Sequence, residues 1–268
     1  MSRDIFEIPP PPADARLAYG TDAFQFGDLR LPEGAGSHPV AVVIHGGFWR
    51  AAYNLEYMGS LCGAFARAGL ASWNVEYRRI GNPGGAWPGT FQDVAMAADY
   101  LRSIAIRYRL DLSRVIALGH SAGGHLALWL GSRSKLAADS PGYTSDPLPL
   151  AGIVSLAGVA DLKRSWELRL SHAVVADLLG GSPEDVPDRY QVASPIELLP
   201  FRIPQRLVHG TADASVPFEI SKQYVSTAVA CGDDAELIPL EAAGHFGLVD
   251  PRTKEFEQVL NAVLSLLA

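Results

Sequence analysis

The stretch VIALGHSAGGHL, residues 115–126, decides the fold class of this chain. Its first four residues predict a buried strand, and the apolar residues after the glycines predict a helix. Between the two, GHSAG at 119–123 matches a G-x-S-x-G pattern on a sharp strand-to-helix turn. Glycines there lack the Cβ atoms that would clash, so we expect Ser121 to be presented above the sheet as a nucleophile.

Short apolar strands alternate with helical segments on both sides of this turn. Such alternation predicts an α/β protein with a mostly parallel central sheet flanked by helices, in one domain over residues 1–268. Ligands then bind beyond the carboxyl ends of the strands. We predict parallel strands at 40–44, 71–77, 115–118, 153–156, 206–208 and 236–240, an antiparallel strand at 24–31, and helices at 53–68, 90–107, 125–131 and from near Pro217 and Pro251.

Residues 161–204 interrupt the alternation, because they are long for a simple crossover between two parallel strands. We interpret them as a small helical cap over the site. The alternative is one ordinary helix with irregular loops.

Composition excludes several classes of protein. Hydrophobic residues make up 48% and charged residues 19% of the 268 residues, which predicts a sizeable core rather than disorder. The formal net charge of -7 argues against nucleic acid or an anionic membrane surface as the partner. Cys62 and Cys231 are too few for a disulfide framework or a zinc site, and both are expected to be buried free thiols in helices.

Targeting signals are not evident in the sequence. Residues 1–17 lack an apolar segment with a basic lead, and the most apolar stretch, 115–130, is interrupted by glycines and is too short for a membrane span. We therefore expect a soluble cytoplasmic protein that does not bind membranes.

A serine nucleophile needs a base and a group that orients the base. His245 is the predicted base, because it lies after the last strand in a glycine-bounded loop, EAAGHFG, that can reach across the strand ends. Asp213 in HGTAD, residues 209–213, is the favoured acid, since it comes directly after a strand. Asp161, which follows the preceding strand, is the main alternative, and Asp250 could instead cap the last helix.

The sequence HGGFW at 45–49 follows the first clear parallel strand. Consecutive glycines let a backbone approach a ligand closely and direct N–H groups at it. The N–H groups of Gly47 and Phe48, with that of Ala122 at a helix N-terminus, could together form an oxyanion hole. The alternative is an ordinary glycine turn.

HGGFW at 45–49 and GHSAGG at 119–124 together resemble the α/β-hydrolase esterases related to hormone-sensitive lipase and to kynurenine formamidase. The resemblance continues through HGTAD to GHF at 244–246 and covers nearly the whole chain. Esterases of the hormone-sensitive lipase type usually carry a third glycine where Phe48 stands, and the H-G-G-x-W form is more similar to the kynurenine formamidase branch. This difference favours a small acyl or formyl substrate over a long-chain lipid.

The resemblance implies an α/β-hydrolase fold and a serine hydrolase that cleaves small or aromatic carboxylic esters without metal or cofactor. Ser121, Asp213 and His245 would form the catalytic triad, in the chain order of this fold. Trp49 would shape the oxyanion loop. Trp87 and Trp166 are candidates for an aromatic substrate pocket, although single tryptophans more often belong to the core.

Two other functions remain open at this point. The same chemistry could act on an aryl formamide such as N-formylkynurenine, which would make the protein an arylformamidase. A catalytically inactive hydrolase fold could instead serve as a binding module. The expected partner is a small-molecule ester or amide, and a homodimer is suggested only by its general frequency among soluble proteins.

Overall fold

The computed structural model describes residues 5–267. Its centre is a single β-sheet. Within those residues eight strands pair in the order β1-β2-β4-β3-β5-β6-β7-β8. They are β1 (Ala15–Ala18), β2 (Phe26–Arg30), β3 (His38–Ile44), β4 (Ala71–Val75), β5 (Leu110–His120), β6 (Gly152–Leu156), β7 (Gln205–Gly210) and β8 (Ala235–Leu240). Only β2 runs antiparallel to both its neighbours among these strands, and β3 to β8 are parallel. The predicted α/β fold with a mostly parallel sheet is confirmed.

Residues 1–4 and 268 lie outside the described residues. They include the start of the segment predicted to lack a targeting signal and both ends of the predicted domain.

The central strand β3 shows why the sheet is covered on both faces. Val40, Val42 and Ile44 belong to the hydrophobic core on one side, whereas Ala41 and Val43 belong to the core on the other. All five side chains are fully buried. Alternate strand residues point to opposite faces, so a strand buried on both faces has a continuous apolar sequence.

Helices cover both faces of the sheet. The helical residues Phe65 and Val263 pack in one core, and the helical residues Leu126 and Tyr224 pack in the other. No helix in the described range 5–267 combines the length and the apolar composition that crossing a bilayer requires. The helices are α1 (Gly59–Arg67), α2 (Gly89–Asp99), α3 (Leu101–Tyr108), α4 (Ala122–Gly131), α5 (Leu162–Glu167), α6 (Val174–Leu179), α7 (Pro187–Ala193), α8 (Phe218–Ala230) and α9 (Glu255–Ser265).

The helix predicted at 90–107 is divided at Tyr100 into α2 and α3. The indole N–H of Trp73 donates to the carbonyl oxygen of Ala97, which in a continuous helix accepts the N–H of Leu101. The N–H of Ser103 bonds the carbonyl oxygen of Tyr100 in the tighter i to i+3 pattern. A side chain from the sheet therefore accompanies the interruption of this helix.

The segment predicted as a cap holds α5, α6, α7 and a 3-10 helix at Pro195–Leu198, all between β6 and β7. Its buried residues Val175 and Leu178 belong to the same hydrophobic core as the sheet. The carbonyl oxygen of Leu178 accepts the N–H of Trp87 at 2.8 Å, and that of Ser171 accepts Nη2 of Arg50 at 3.1 Å. These contacts attach the segment to the loops that follow β3 and β4.

Both cysteines are free. Cys62 is buried in α1 as expected, and burial raises the pKa of its thiol to about 11. Cys231 is exposed, because it lies at the C-terminal end of α8, where the chain turns into solvent. The prediction that this second thiol is buried is therefore wrong.

Candidate active site

Ser121 occupies the sharp turn between β5 and α4. Its backbone has φ 57° and ψ -118°, a conformation that residues with a side chain rarely adopt. A Cβ atom on Gly119 would clash with the carbonyl oxygen of Gly123, and one on Gly123 would clash with the backbone of Ile44. The Ser121 N–H donates to the carbonyl oxygen of Leu156 at 2.8 Å, which ties the turn to β6. The glycines thus permit a strained turn that places the serine at the carboxyl end of the sheet.

His245 and Asp213 are brought together from the loops after β8 and β7. Nδ1 of His245 donates to Oδ2 of Asp213 at 2.6 Å, which leaves Nε2 of the neutral ring as a proton acceptor. Oδ1 of Asp213 accepts the backbone N–H groups of Ser215 at 2.7 Å and Val216 at 2.9 Å. His209 lies below the pair, with Nε2 at 3.3 Å from Oδ2. Every oxygen of this buried carboxylate therefore has a donor.

The donors around Asp213 decide its ionisation. Burial alone would raise the pKa of this carboxyl, but the hydrogen bonds from His209 and His245 and the charge of His245 outweigh it. The pKa of Asp213 is consequently held far below its ordinary value. An ionised carboxylate at this place orients the imidazole and stabilises its protonated form.

The alternative acids have other partners. Asp161 caps α5 by accepting the N–H of Arg164 at 2.9 Å, and burial raises its pKa. Asp250 binds the guanidinium of Arg252 at 2.6 Å. Within residues 5–267, no group of three or more His, Cys, Asp and Glu side chains is arranged to hold a metal ion.

A cavity of about 170 Å³ lies beside Ser121 and His245. Ser121 and His245 both line it, although they are only 2% and 8% exposed, so the cavity gives a small molecule access to both. Most of the remaining wall is aromatic. The cavity is lined by Phe6, Gly47, Phe48, Tyr53, Tyr57, His120, Ser121, Ser215, His245 and Phe246.

The loop after β3 brings free backbone donors to this cavity. Gly47 and Phe48 have φ values of 103° and 50°, and both line the cavity. Their N–H groups, and that of Ala122, find no acceptor among the described residues. The N–H of Gly46 is already engaged, since it donates to the hydroxyl oxygen of Tyr57 at 2.6 Å. Gly47, Phe48 and Ala122 therefore remain able to bind a developing oxyanion.

A buried chain of hydrogen bonds connects the donor loop with the histidine loop. Nε2 of His120 faces the carbonyl oxygen of His245 at 3.0 Å and must donate, because a carbonyl only accepts. Nδ1 of His120 therefore accepts the hydroxyl of Tyr57 at 3.0 Å, and the same hydroxyl accepts the N–H of Gly46. Burial lowers the pKa of His120 well below its ordinary value and raises that of Tyr57. The network thus remains neutral, with each hydrogen bond in a fixed direction.

His45 anchors the start of the donor loop. Its Nε2 lies 3.0 Å from Oε1 of Glu76, and its carbonyl oxygen accepts the hydroxyl of Tyr77 at 2.9 Å. Glu76 also accepts the N–H of Leu55 at 3.2 Å and pairs with Nη2 of Arg79 at 3.2 Å. Burial alone would raise the pKa of Glu76, but His45 and Arg79 outweigh it and lower that pKa. The loop thus rests on a buried ionic network.

The three tryptophans predicted for substrate binding do not line this cavity. Trp49 is fully buried, and its indole N–H donates to Nδ1 of His125 at 3.2 Å. Nε2 of His125 in turn donates to the carbonyl oxygen of Ala193 in α7 at 2.9 Å. Trp87 and Trp166 are half-buried and pack against the hydrophobic core. The structure therefore places Trp49 as a support of the donor loop, away from the space beside Ser121.

Several cavity residues were not singled out from the sequence. Tyr53 and Tyr57 follow HGGFW within ten residues, and Phe246 directly follows His245. Their closeness in sequence to these motifs could have indicated that they lie near the site. In the sequence, His120 stands out only as a residue of the GHSAG turn at 119–123. Phe6, more than a hundred residues from Ser121, gives no local signal at all.

Comparison with known protein families gives a match over most of the chain. A family model described as BD-FAE matches residues 28–227, well over half of the chain and including Ser121 and Asp213. The chain belongs to the BD-FAE family. The predicted resemblance to α/β-hydrolase esterases is thereby confirmed at the level of the superfamily. His245 lies beyond the matched residues.

Two curated plant relatives of this BD-FAE protein are named as methylesterases. A probable isoprenylcysteine alpha-carbonyl methylesterase (ICMEL1) of Arabidopsis thaliana is 27% identical over 271 residues, covering 92% of this chain and 55% of that protein. The isoprenylcysteine alpha-carbonyl methylesterase ICME of the same plant is 25% identical, covering 94% and 61%. The chain thus spans little more than half of the first relative and about three fifths of the second.

Solved structures share the fold of this BD-FAE protein. A truncated carbohydrate esterase from gut microbiota superposes with a TM-score of 0.81 at 24% identity, covering 95% of this chain and 98% of that one. Thermogutta terrifontis esterase Est2 bound to propionate gives a TM-score of 0.74 at 23% identity, covering 96% and 94%. At such identities the likeness establishes the α/β-hydrolase fold.

Proposed function

We propose that the protein is a serine hydrolase that cleaves small or aromatic carboxylic esters through an acyl-enzyme. The observation that carries this proposal is the 2.6 Å hydrogen bond between His245 and Asp213 at a cavity that Ser121 shares. A strained serine, a histidine with one free ring nitrogen and unengaged backbone donors are the parts that acyl transfer needs.

In the first half of the reaction, Nε2 of His245 takes the proton of the Ser121 hydroxyl while Oγ bonds to the ester carbonyl carbon. The carbonyl oxygen becomes an oxyanion, which the N–H groups of Gly47, Phe48 and Ala122 stabilise. The bond to the alcohol oxygen then breaks, and the protonated His245 gives its proton to the leaving alcohol. Asp213 keeps the ring oriented throughout.

In the second half, a water molecule replaces the alcohol. His245 takes a proton from the water, whose oxygen bonds to the acyl carbon, and returns the proton to Oγ of Ser121 as the acid leaves. Each half uses the same donors and the same base, so no further group is required from the protein.

Small substrates are favoured by the size of the cavity. Its volume of about 170 Å³ lies below the roughly 300–1,000 Å³ that pockets for drug-sized ligands enclose. The names of the relatives support an ester, since they are a methylesterase, a carbohydrate esterase and an esterase captured with propionate and with butyrate.

A substrate panel tests the proposal. We expect p-nitrophenyl acetate and butyrate to be hydrolysed, with kcat/KM falling by about 10⁴-fold or more in Ser121→Ala and His245→Ala variants that remain folded. A rate on N-formylkynurenine above that on every ester would instead identify an arylformamidase, the function that the HGGFW sequence also favours. A folded protein without activity on any of them would indicate a binding module.

A further inference from the structure

The first described residues of the chain reach the cavity beside Ser121. A 3-10 helix at Ile5–Glu7 places Phe6 in the cavity wall. The centroid of its ring lies 5.1 Å from that of Phe246 and 5.2 Å from that of Tyr57. This segment precedes the residues that the family model matches, so the family pattern itself does not provide this wall.

The protein holds this segment in a track built on α1. Nε and Nη2 of Arg30 donate to the carbonyl oxygen of Pro11 at 3.2 and 2.8 Å, although Arg30 is only 3% exposed. Gly59 and Gly63, one helical turn apart, face Pro10 and Pro11. A Cβ atom on Gly63 would lie 2.7 Å from Cγ of Pro11, so only glycine leaves room.

The buried Arg30 guanidinium and the glycines of α1 would each lower the stability of the fold if residues 5–11 did not pack against them. A buried guanidinium is unfavourable unless it has acceptors, and the Pro11 carbonyl oxygen supplies one. Glycine inside a helix is about 1 kcal/mol less favourable than alanine, yet here it lets the prolines pack closely. The contacts therefore mark residues 5–11 as a built part of the fold.

Phe6 forms part of the cavity wall that borders solvent. The residue is 46% exposed and lines the cavity at the same time, so its ring contacts both spaces. An engineered apolar cavity of roughly 150 Å³ holds one benzene molecule. A space of about 170 Å³ with aromatic walls therefore accommodates one ring or a short alkyl chain.

We propose that Phe6, held by the track on α1, determines specificity by limiting the size of the apolar group that enters the cavity. The inference rests on the proposed esterase function. The group is a short alkyl chain or a single aromatic ring, belonging either to the acyl or to the alcohol part of the ester. Longer groups would meet the Phe6 ring, which packs with Tyr57 and Phe246 in the cavity wall.

Two ester series measured with a Phe6→Ala variant test this inference. One series varies the acyl part (p-nitrophenyl acetate, butyrate and octanoate), and the other varies the alcohol part (ethyl, butyl and octyl acetate). We expect the ratio of kcat/KM for the longest to the shortest member to rise about tenfold in one series, the gain from withdrawing two more methylene groups from water. The series that responds identifies the part of the ester in the cavity.

A second variant displaces the Phe6 segment without changing any residue that lines the cavity. Gly63→Ala pushes Pro11 away from α1, and alanine favours the helix, so the protein should fold and show the same change of ratio. Tyr143→Ala is the matched control, since this aromatic residue is 42% exposed but lies outside the cavity. It should keep the wild-type ratio.

Wild-type ratios in both Phe6→Ala and Gly63→Ala, in an enzyme that hydrolyses the short esters, would overturn this inference and leave the proposed function intact. A folded wild-type protein that hydrolyses neither series would overturn both.

Discussion

Replacing Tyr57 by phenylalanine removes one hydroxyl group that the donor loop and the histidine loop share. The hydroxyl accepts the N–H of Gly46 at 2.6 Å and donates to Nδ1 of His120 at 3.0 Å, while the ring contributes to the cavity wall. The variant keeps that wall and loses only the link between the loops.

The expected loss follows from the two partners. Each buried polar group left without a hydrogen bond costs about 1–3 kcal/mol, so the loss of two such bonds should lower the free energy of unfolding by about 2–6 kcal/mol. Gly46 directly precedes the donor Gly47, and outright removal of one oxyanion donor costs about 10²–10³ in kcat. A donor that is only loosened should cost less, about 10- to 100-fold in kcat, with KM changed by less than about threefold.

Urea unfolding followed by circular dichroism measures the first quantity, and hydrolysis of p-nitrophenyl acetate measures the second. Tyr53→Phe is the matched control, because Tyr53 lines the same cavity but its hydroxyl makes no hydrogen bond among the described residues. If Tyr57→Phe retained wild-type kcat and stability, or if both variants lost kcat equally, the link between the loops would be refuted.

Three further predictions concern other parts of the molecule. Asp213→Asn should lower kcat by about 10⁴-fold while the protein stays folded at pH 7, because the amide NH2 would face Nδ1 of His245 and favour the tautomer that carries its proton on Nε2. A much smaller loss of kcat in steady-state kinetics would contradict this. Burial lowers the pKa of His125 from 6.5 to about 4, so as pH falls the unfolded chain binds a proton before the folded one. Between pH 7 and 4 the wild type should therefore lose about 3 kcal/mol more stability than His125→Gln, and equal losses in urea titrations would contradict this. Iodoacetamide should alkylate exposed Cys231 and spare buried Cys62 in the native protein, and mass spectrometry would reveal equal labelling if this is wrong.

The strands could be predicted wherever burial makes their sequence continuous. The pattern at 40–44 identified β3 because both of its faces are covered. β5 begins at Leu110, five residues before the predicted strand. Its first residues were missed because they are partly exposed and alternate between apolar and polar types. β1 was not predicted at all, since Ala15–Ala18 is short and leaves alternate residues exposed. Apolar patterning reports burial, so it misses the strand residues that lie at an edge.

The candidate site likewise contains residues that the sequence predicts and residues that it does not. Ser121 and the donor loop lie in motifs whose geometry is local, and His245 and Asp213 follow strands whose ends the parallel sheet brings together. These positions were available from chain order alone. The Tyr57–His120 link and the Phe6 wall depend on side-chain packing between distant segments, which no sequence spacing encodes.

Labelling with a fluorophosphonate tests the central claim most directly, because this reagent reacts with a serine whose hydroxyl a base activates. The native protein should carry one adduct, located by mass spectrometry on Ser121. Labelling should disappear in Ser121→Ala, after unfolding in urea, and to a large extent in His245→Ala. A native protein that gains no adduct on Ser121, or that reacts there equally fast when unfolded, would contradict the account.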